Sequence, residues 1–209
     1  EGQSNGQYNS YSFYNGLNES VDTISQNIDK LGTKESFGHY AAGWAIAGDT
    51  PFAWSKTIAS DYGGTRNGLI ISWKNGIKDS GKLRSQWSHV IDVTPTILEA
   101  AKIPQPKTVD GIQQIPIQGT SMLYSFNDAK AKDRHTTQYF EVFGNRAIYN
   151  DGWFARVIHM AEWDLEGPTV TLQNDKWELY NTKEDFSLST DLAAKYPQKL
   201  EELKQLFDK

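Results

Sequence analysis

Gln138-Tyr139-Phe140-Glu141-Val142-Phe143-Gly144-Asn145-Arg146-Ala147-Ile148-Tyr149-Asn150-Asp151-Gly152-Trp153-Phe154-Ala155-Arg156-Val157 decides the architecture of the second half of the chain. From His135 to Phe143 the residues alternate and are β-branched or aromatic, which predicts a strand. Arg146 to Asn150 and Trp153 to Ile158 are two further strand-like runs flanking Asp151-Gly152, a pair favoured where both turn residues need positive φ. Trp177-Glu178-Leu179-Tyr180 is another short strand. Beyond it, Pro197 opens a helix with Leu200, Leu203 and Phe207 on one face. A small antiparallel sheet with a terminal helix is expected for this half.

Working back toward the start, residues 104–120 carry several Pro and Gly and read as a connection. Val90-Ile91-Asp92-Val93 precedes a helix that begins near Pro95 and runs to Ala101. Gly68-Leu69-Ile70-Ile71-Ser72-Trp73, closed by Asn75-Gly76, has the length and branching of a buried strand. Thr50-Pro51 is read as a helix start, with the helix passing through Phe52, Trp54 and Ile58 and stopping before Gly63-Gly64. The segment with Gly38, Gly43 and Gly48 is read as a loop. Val21, Ile24, Ile28 and Leu31 share a helical face, with Ser20 as N-cap and Gly32 as the stop. Residues 1–20 have loop composition. The first half therefore alternates helix and strand.

The chain has 209 residues, 38% of them hydrophobic and 22% charged, the balance of a globular protein. The net charge of −5 argues against a general nucleic-acid partner. No apolar run is long enough to span a bilayer. Cysteine is absent, which removes disulfides, thiolate catalysis and Cys-ligated zinc from consideration. The seven Trp and ten Tyr are read as core and core edges rather than a sugar-stacking surface. The stretch from Glu1 to Gly6 reads like the middle of a longer chain. No phosphate-binding loop, dinucleotide fingerprint, metalloprotease helix or nucleophile elbow occurs. His39, His89, His135 and His159 are far apart in sequence, and each alone is more often a packed residue than a ligand.

Several segments, taken in order, resemble the sulfatase family. Thr50-Pro51-Phe52-Ala53-Trp54-Ser55-Lys56, then Tyr62-Gly63-Gly64-Thr65-Arg66, then Ile70-Ile71-Ser72-Trp73 resemble one family segment. His89 to Glu99, with Asp92, Pro95, Thr96, Leu98 and Glu99 in register, resembles a second. Gly111 and Gly119-Thr120-Ser121-Met122 resemble a third. Gln138 to Tyr149 with Asp151-Gly152-Trp153 is similar to the hairpin of large bacterial arylsulfatases, and Trp177-Glu178-Leu179-Tyr180-Asn181 with Asp185 to Ala194 to their ending. Asn67-Gly68 and Lys74-Asn75 depart from the family pattern.

The resemblance implies an α/β fold of the alkaline-phosphatase and sulfatase type, present in part. Residues 1–105 would be the distal part of the mixed-sheet catalytic domain, and residues 106–209 a C-terminal α+β subdomain. It implies sulfate monoester hydrolysis by a formylglycine and a divalent cation, usually calcium. Neither the family's formylglycine motif nor its Asp-Asn-Gly metal motif occurs in this sequence, so both are expected upstream and no metal ligand is assigned here. Lys56 matches the family lysine that contacts sulfate and nucleophile, and is the catalytic and substrate-binding candidate. His39 is a second substrate-binding candidate. Arg66 is expected to hold the Gly63-Gly64 turn through carbonyls or Asp61, His89 to position the helix that follows it, and Glu141 and Arg146 to build the rim.

The expected partners are a sulfate ester and the N-terminal part of the same catalytic domain, with no nucleic acid and no membrane. An exposed sheet edge near Leu69–Trp73 is open to self-association. The whole protein is expected in the periplasm or outside the cell, and this part is expected to be inactive alone. The alternatives are a non-catalytic binding or structural domain and a phosphate or phosphonate monoester hydrolase of the same superfamily.

Overall fold

The computed structural model describes residues 6–39, 41–161, 164, 167–168 and 170–209. In chain order its elements are α1 (Ser10–Tyr14), α2 (Val21–Gln26), α3 (Ala42–Asp49), α4 (Tyr62–Thr65), α5 (Val93–Ala101), the two-residue strands β1 (Thr108–Val109) and β2 (Ile112–Gln113), β3 (Thr137–Val142), β4 (Asn145–Asn150), β5 (Trp153–Val157), β6 (Glu178–Asn181) and α6 (Pro197–Phe207). The chain forms two compact units. One comprises residues 1–66, 139–148 and 153–209; the other comprises 67–138 and 149–152.

The sheet expected from the opening stretch is present, with strands in the order β3-β4-β5-β6. Both loops that join β3 to β4 and β4 to β5 have two residues with positive φ: Phe143 and Gly144 at 54° and 81°, Asp151 and Gly152 at 44° and 87°. That geometry twists with the strands. The Asp-Gly pair announces itself in the sequence; Phe143-Gly144 does not, because Phe is an unusual residue in the left-handed region. Glu141 steadies the Phe143-Gly144 loop by accepting from the Gly144 amide at 2.8 Å. β5 and β6 pair antiparallel, with Ala155 opposite Leu179 and Arg156 opposite Glu178. On one face Ile148, Ala155, Leu179 and Leu203 form a buried cluster, covered by Trp153, Trp177, Leu200 and Phe207. Pro at the start of α6 and Leu at spacings of three dock that helix onto the sheet.

The first sixty-six residues depart from expectation in three places, the first being α1, a five-residue helix within a stretch of loop composition. α3 forms where a glycine loop is expected: Ala42, Ala45 and Ala47 carry enough helix propensity to offset Gly43 and Gly48. The helix expected from Thr50 does not form. Trp54 and Thr57 lie at φ 64° and 77°, outside any right-handed helix. Pro51 follows α3 and terminates it, since the residue before a proline is pushed out of the helical region. α2 forms as expected, with the Ser20 hydroxyl accepting from the Thr23 amide at 3.1 Å, but it ends at Gln26 and a single 3-10 turn continues over Ile28–Lys30.

In the other unit, α5 begins two residues before Pro95 and follows a 3-10 turn at Val90–Asp92. The buried strand expected over residues 68–73 is absent. Leu69 and Ile70 are 55% and 96% exposed, and no strand forms there among the described residues. A strand needs a neighbour for its amides and carbonyls, and none is provided. The Asn75-Gly76 stop is observed as a turn, with the Gly76 and Ile77 amides both donating to the Trp73 carbonyl.

Leu203 is 1% exposed at the centre of the helix–sheet contact. Leu203→Ala is expected to lower unfolding free energy by about 2–5 kcal/mol, read by urea denaturation, whereas the exposed Leu83→Ala should change it by less than about 0.5 kcal/mol.

Candidate active site

Lys56 lies on a tight turn rather than on a helix, with its side chain exposed. Residues on both sides of it, Trp54 and Thr57, have left-handed backbone. Beneath it Ser55, Ile58, Ser60 and Asp61 are buried. The turn is closed by the Ile58 amide donating to the Ser55 carbonyl at 3.2 Å and the Asp61 amide donating to the Ile58 carbonyl at 3.2 Å. An exposed cation is thus carried on a buried, internally bonded base.

α4 follows directly and packs backbone against backbone. A Cβ on Gly63 would overlap the carbonyls of Ala53 and Trp54, and one on Gly64 those of Ser55 and Ile58. The two glycines are needed for this close approach to the lysine turn. Asp61 starts the helix: its Oδ1 accepts from the Gly63 amide at 3.1 Å, and its carbonyl accepts from the Thr65 hydroxyl at 2.8 Å.

The other Asp61 oxygen is ion-paired with Nη1 of Arg156 on β5. Asp61 is fully buried, so its charge requires this partner. Arg156 is itself held by β6. Its Nε donates to Glu178 at 2.9 Å, its Nη2 donates to the Tyr180 hydroxyl at 2.9 Å, and its guanidinium lies 4.8 Å from the Tyr180 ring centre. Burial pushes the Tyr180 phenol above its ordinary range, so it stays protonated and donates to Glu178 at 2.8 Å. The sheet therefore fixes Arg156, Arg156 fixes Asp61, and Asp61 fixes the base of the Lys56 turn.

Arg66, expected to bond carbonyls or Asp61, is found against aromatic rings. Its guanidinium lies 4.0 Å from the Phe186 ring centre and also faces Tyr62 and Phe52. The cation is taken up by aromatic faces, and Arg156 occupies the acid. Arg146 likewise braces the fold, pairing with Asp175 at 2.9 Å while Asp175 also holds the His159 ring at 2.9 Å.

His39 sits half-buried in an isolated bridge with Gln7, exchanging both backbone hydrogen bonds at 2.7 and 3.0 Å. It lines an open cleft of about 550 Å³ with Gln7, Ser10, Thr33, Ser36 and Phe37. Lys56 is not among the lining residues of that cleft.

Histidines that are distant in sequence do meet in the other unit. His89 and His135 rings are 6.3 Å apart, and both engage Asp92. Fully buried Asp92 accepts from the His89 amide at 2.8 Å, the Thr120 amide at 2.7 Å and His135 Nδ1 at 2.8 Å. The His89 ring accepts from the Ile91 amide, so His89 does position the start of α5, as expected. Burial and the neighbouring His135 lower the His89 pKa, with Asp92 opposing. Asp92 has three donors and no open side, which makes it a structural hub.

No family model matches the chain. An uncharacterized sulfatase of Schizosaccharomyces pombe is 29% identical over 185 residues, 88% of this chain and 31% of that protein. An arylsulfatase of Klebsiella aerogenes is 30% identical over 122 residues, 58% of this chain and 26% of that protein. The chain is thus similar in sequence to two sulfatases. It spans less than a third of the length of these curated relatives. A solved structure from a study of how Bacteroides thetaiotaomicron metabolises multiple glycosaminoglycans superposes on 90% of this chain and 41% of its own, with a TM-score of 0.57 at 19% identity. That likeness bears on the fold alone, and agrees with a mixed helix and sheet architecture of sulfatase type.

Among the described residues no three His, Asp or Glu side chains gather as a metal site would require. The described helices include none long and apolar enough to cross a membrane.

Gly64→Ala is expected to lower stability by about 1–3 kcal/mol, because a methyl group there meets backbone rather than a yielding side chain. Gly68→Ala, where nothing lies within 4 Å, is the control and should be close to neutral. Guanidinium denaturation of both variants reads the difference.

Proposed function

We propose that this chain is the lysine-bearing part of a sulfuric ester hydrolase and that Lys56 binds the sulfate group. The single observation that carries the reading is the placement of Lys56: an exposed ammonium on a turn whose base is buried and bonded to the sheet. An ammonium held in this way makes charge-assisted bonds to a sulfate oxygen. It also stabilises the negative charge that grows on the leaving oxygen as the ester bond breaks. Two curated relatives named as sulfatases support the class of reaction. His39, on its own cleft, is the proposed second contact to substrate.

Formylglycine and calcium, in this reading, come from residues outside this sequence, and this part is inactive alone. The exposed run from Leu69 to Trp73 supports the same view. An apolar stretch of this kind is suited to pairing with the upstream part of the same catalytic domain, with self-association as its consequence when that part is absent. A periplasmic or extracellular location is proposed for the whole protein.

Lys56→Ala in the full-length protein is expected to lower kcat on 4-nitrophenyl sulfate by about 100- to 1,000-fold, the range seen when one stabilising donor is lost. Near-normal turnover would contradict the assignment. Preferential turnover of 4-nitrophenyl phosphate by the unaltered protein would instead favour a phosphate monoester hydrolase.

A further inference from the structure

We propose that Asp61 and Arg156 are positioning residues for Lys56, an inference that rests on Lys56 acting on the substrate. Neither touches substrate in this account. Each acts through the turn.

Lys56 is flexible in its own right: four methylene groups and a point charge give it no built-in direction. The backbone of the turn sets where that side chain begins. The backbone at Trp54 and Thr57 is left-handed, a conformation that non-glycine residues hold only when their surroundings impose it. Two features impose it here. The close approach of Gly63 and Gly64 sets the distance between α4 and the turn. The Asp61 carboxylate sets the orientation of α4, because one oxygen caps the helix and the other is taken by Arg156.

Arg156 suits this task better than a lysine would. Its planar fork presents Nη1 to Asp61 while Nε and Nη2 are fixed by Glu178 and Tyr180. The guanidinium cannot swing without losing bonds on both sides. Glu178 and Tyr180 lie on a strand paired across four residue positions with β5, so the anchor is part of the sheet. A displacement of about 1 Å at a catalytic group costs on the order of 100-fold in rate, so an anchor of this stiffness has consequences for turnover as well as folding.

A double-mutant cycle in the full-length protein separates positioning from plain stability. Asp61→Asn keeps the size of the side chain and its helix cap but removes the charge that Arg156 binds. It is expected to lower kcat on 4-nitrophenyl sulfate by about 10- to 100-fold. In a Lys56→Ala background the same substitution should lower kcat by less than about twofold, since the group it positions is gone. Equal fold losses in both backgrounds would overturn the proposal, as would no loss in either. Failure of the parent reading shows separately, as Lys56→Ala alone retaining turnover.

Arg156→Lys is the second variant, because it retains a charge for Asp61 while losing the fork. Amide exchange over residues 54–58, measured by mass spectrometry, reads position without relying on turnover. An increase of tenfold or more over 54–58, with β5 and β6 unchanged, is expected for either variant, a change of about 1.4 kcal/mol. Unchanged exchange over 54–58 in a folded variant would overturn the proposal.

Discussion

A buried carboxylate opposite a buried guanidinium, Asp61 against Arg156, is the constraint on which the lysine turn depends. A fully buried charge without a partner is costly, and losing one member of such a pair destabilises by about 3–5 kcal/mol. The folded state is therefore tied to one arrangement of β5, β6 and α4. Within that arrangement Arg156 has no spare direction, since Glu178 and Tyr180 take its remaining donors. The apolar cluster on the sheet, centred on Leu179 and Leu203, supplies the rigidity behind it. Stability and placement of Lys56 are consequences of the same contacts.

The second unit is organised by the same device. Asp92, like Asp61, is a buried acid at a helix start whose side chain reaches beyond its own element. One oxygen engages the local backbone at His89, and the carboxylate also binds Thr120 and His135. In both units an aspartate ties a helix N-terminus to a residue supplied much later in the chain. The difference lies in what the helix carries. α4 abuts an exposed lysine turn, whereas Asp92 is enclosed by donors and by the Trp87 and His135 rings, which meet 4.9 Å apart.

Elements whose cause is local were legible in the sequence. β3, β4, β5, β6 and α6 follow from alternation, the Asp151-Gly152 turn and the Leu spacing after Pro197. Local signals misled where two of them competed. Thr50-Pro51 can open a helix or close one, and the alanines of α3 settled the matter against the glycines. The run at Leu69–Trp73 has strand composition but, among the described residues, no strand beside it, and composition alone carries no information about a neighbour. The candidate lysine came from family resemblance. Its support from Arg156 could not be read, because nothing in the spacing of Asp61 and Arg156 shows that they meet. The same holds for His135 and Asp92, and for Arg66, whose aromatic partners include Phe186 from far along the chain.

The most direct measurement is the coupling between Asp61 and Arg156 in unfolding free energy. Asp61→Asn, Arg156→Met and the double variant of the 209-residue chain would be compared by guanidinium denaturation with fixed slopes. The account predicts a coupling of about 1–3 kcal/mol, with the double variant no less stable than the worse single variant. Additive effects, with a coupling below about 0.5 kcal/mol, would contradict it.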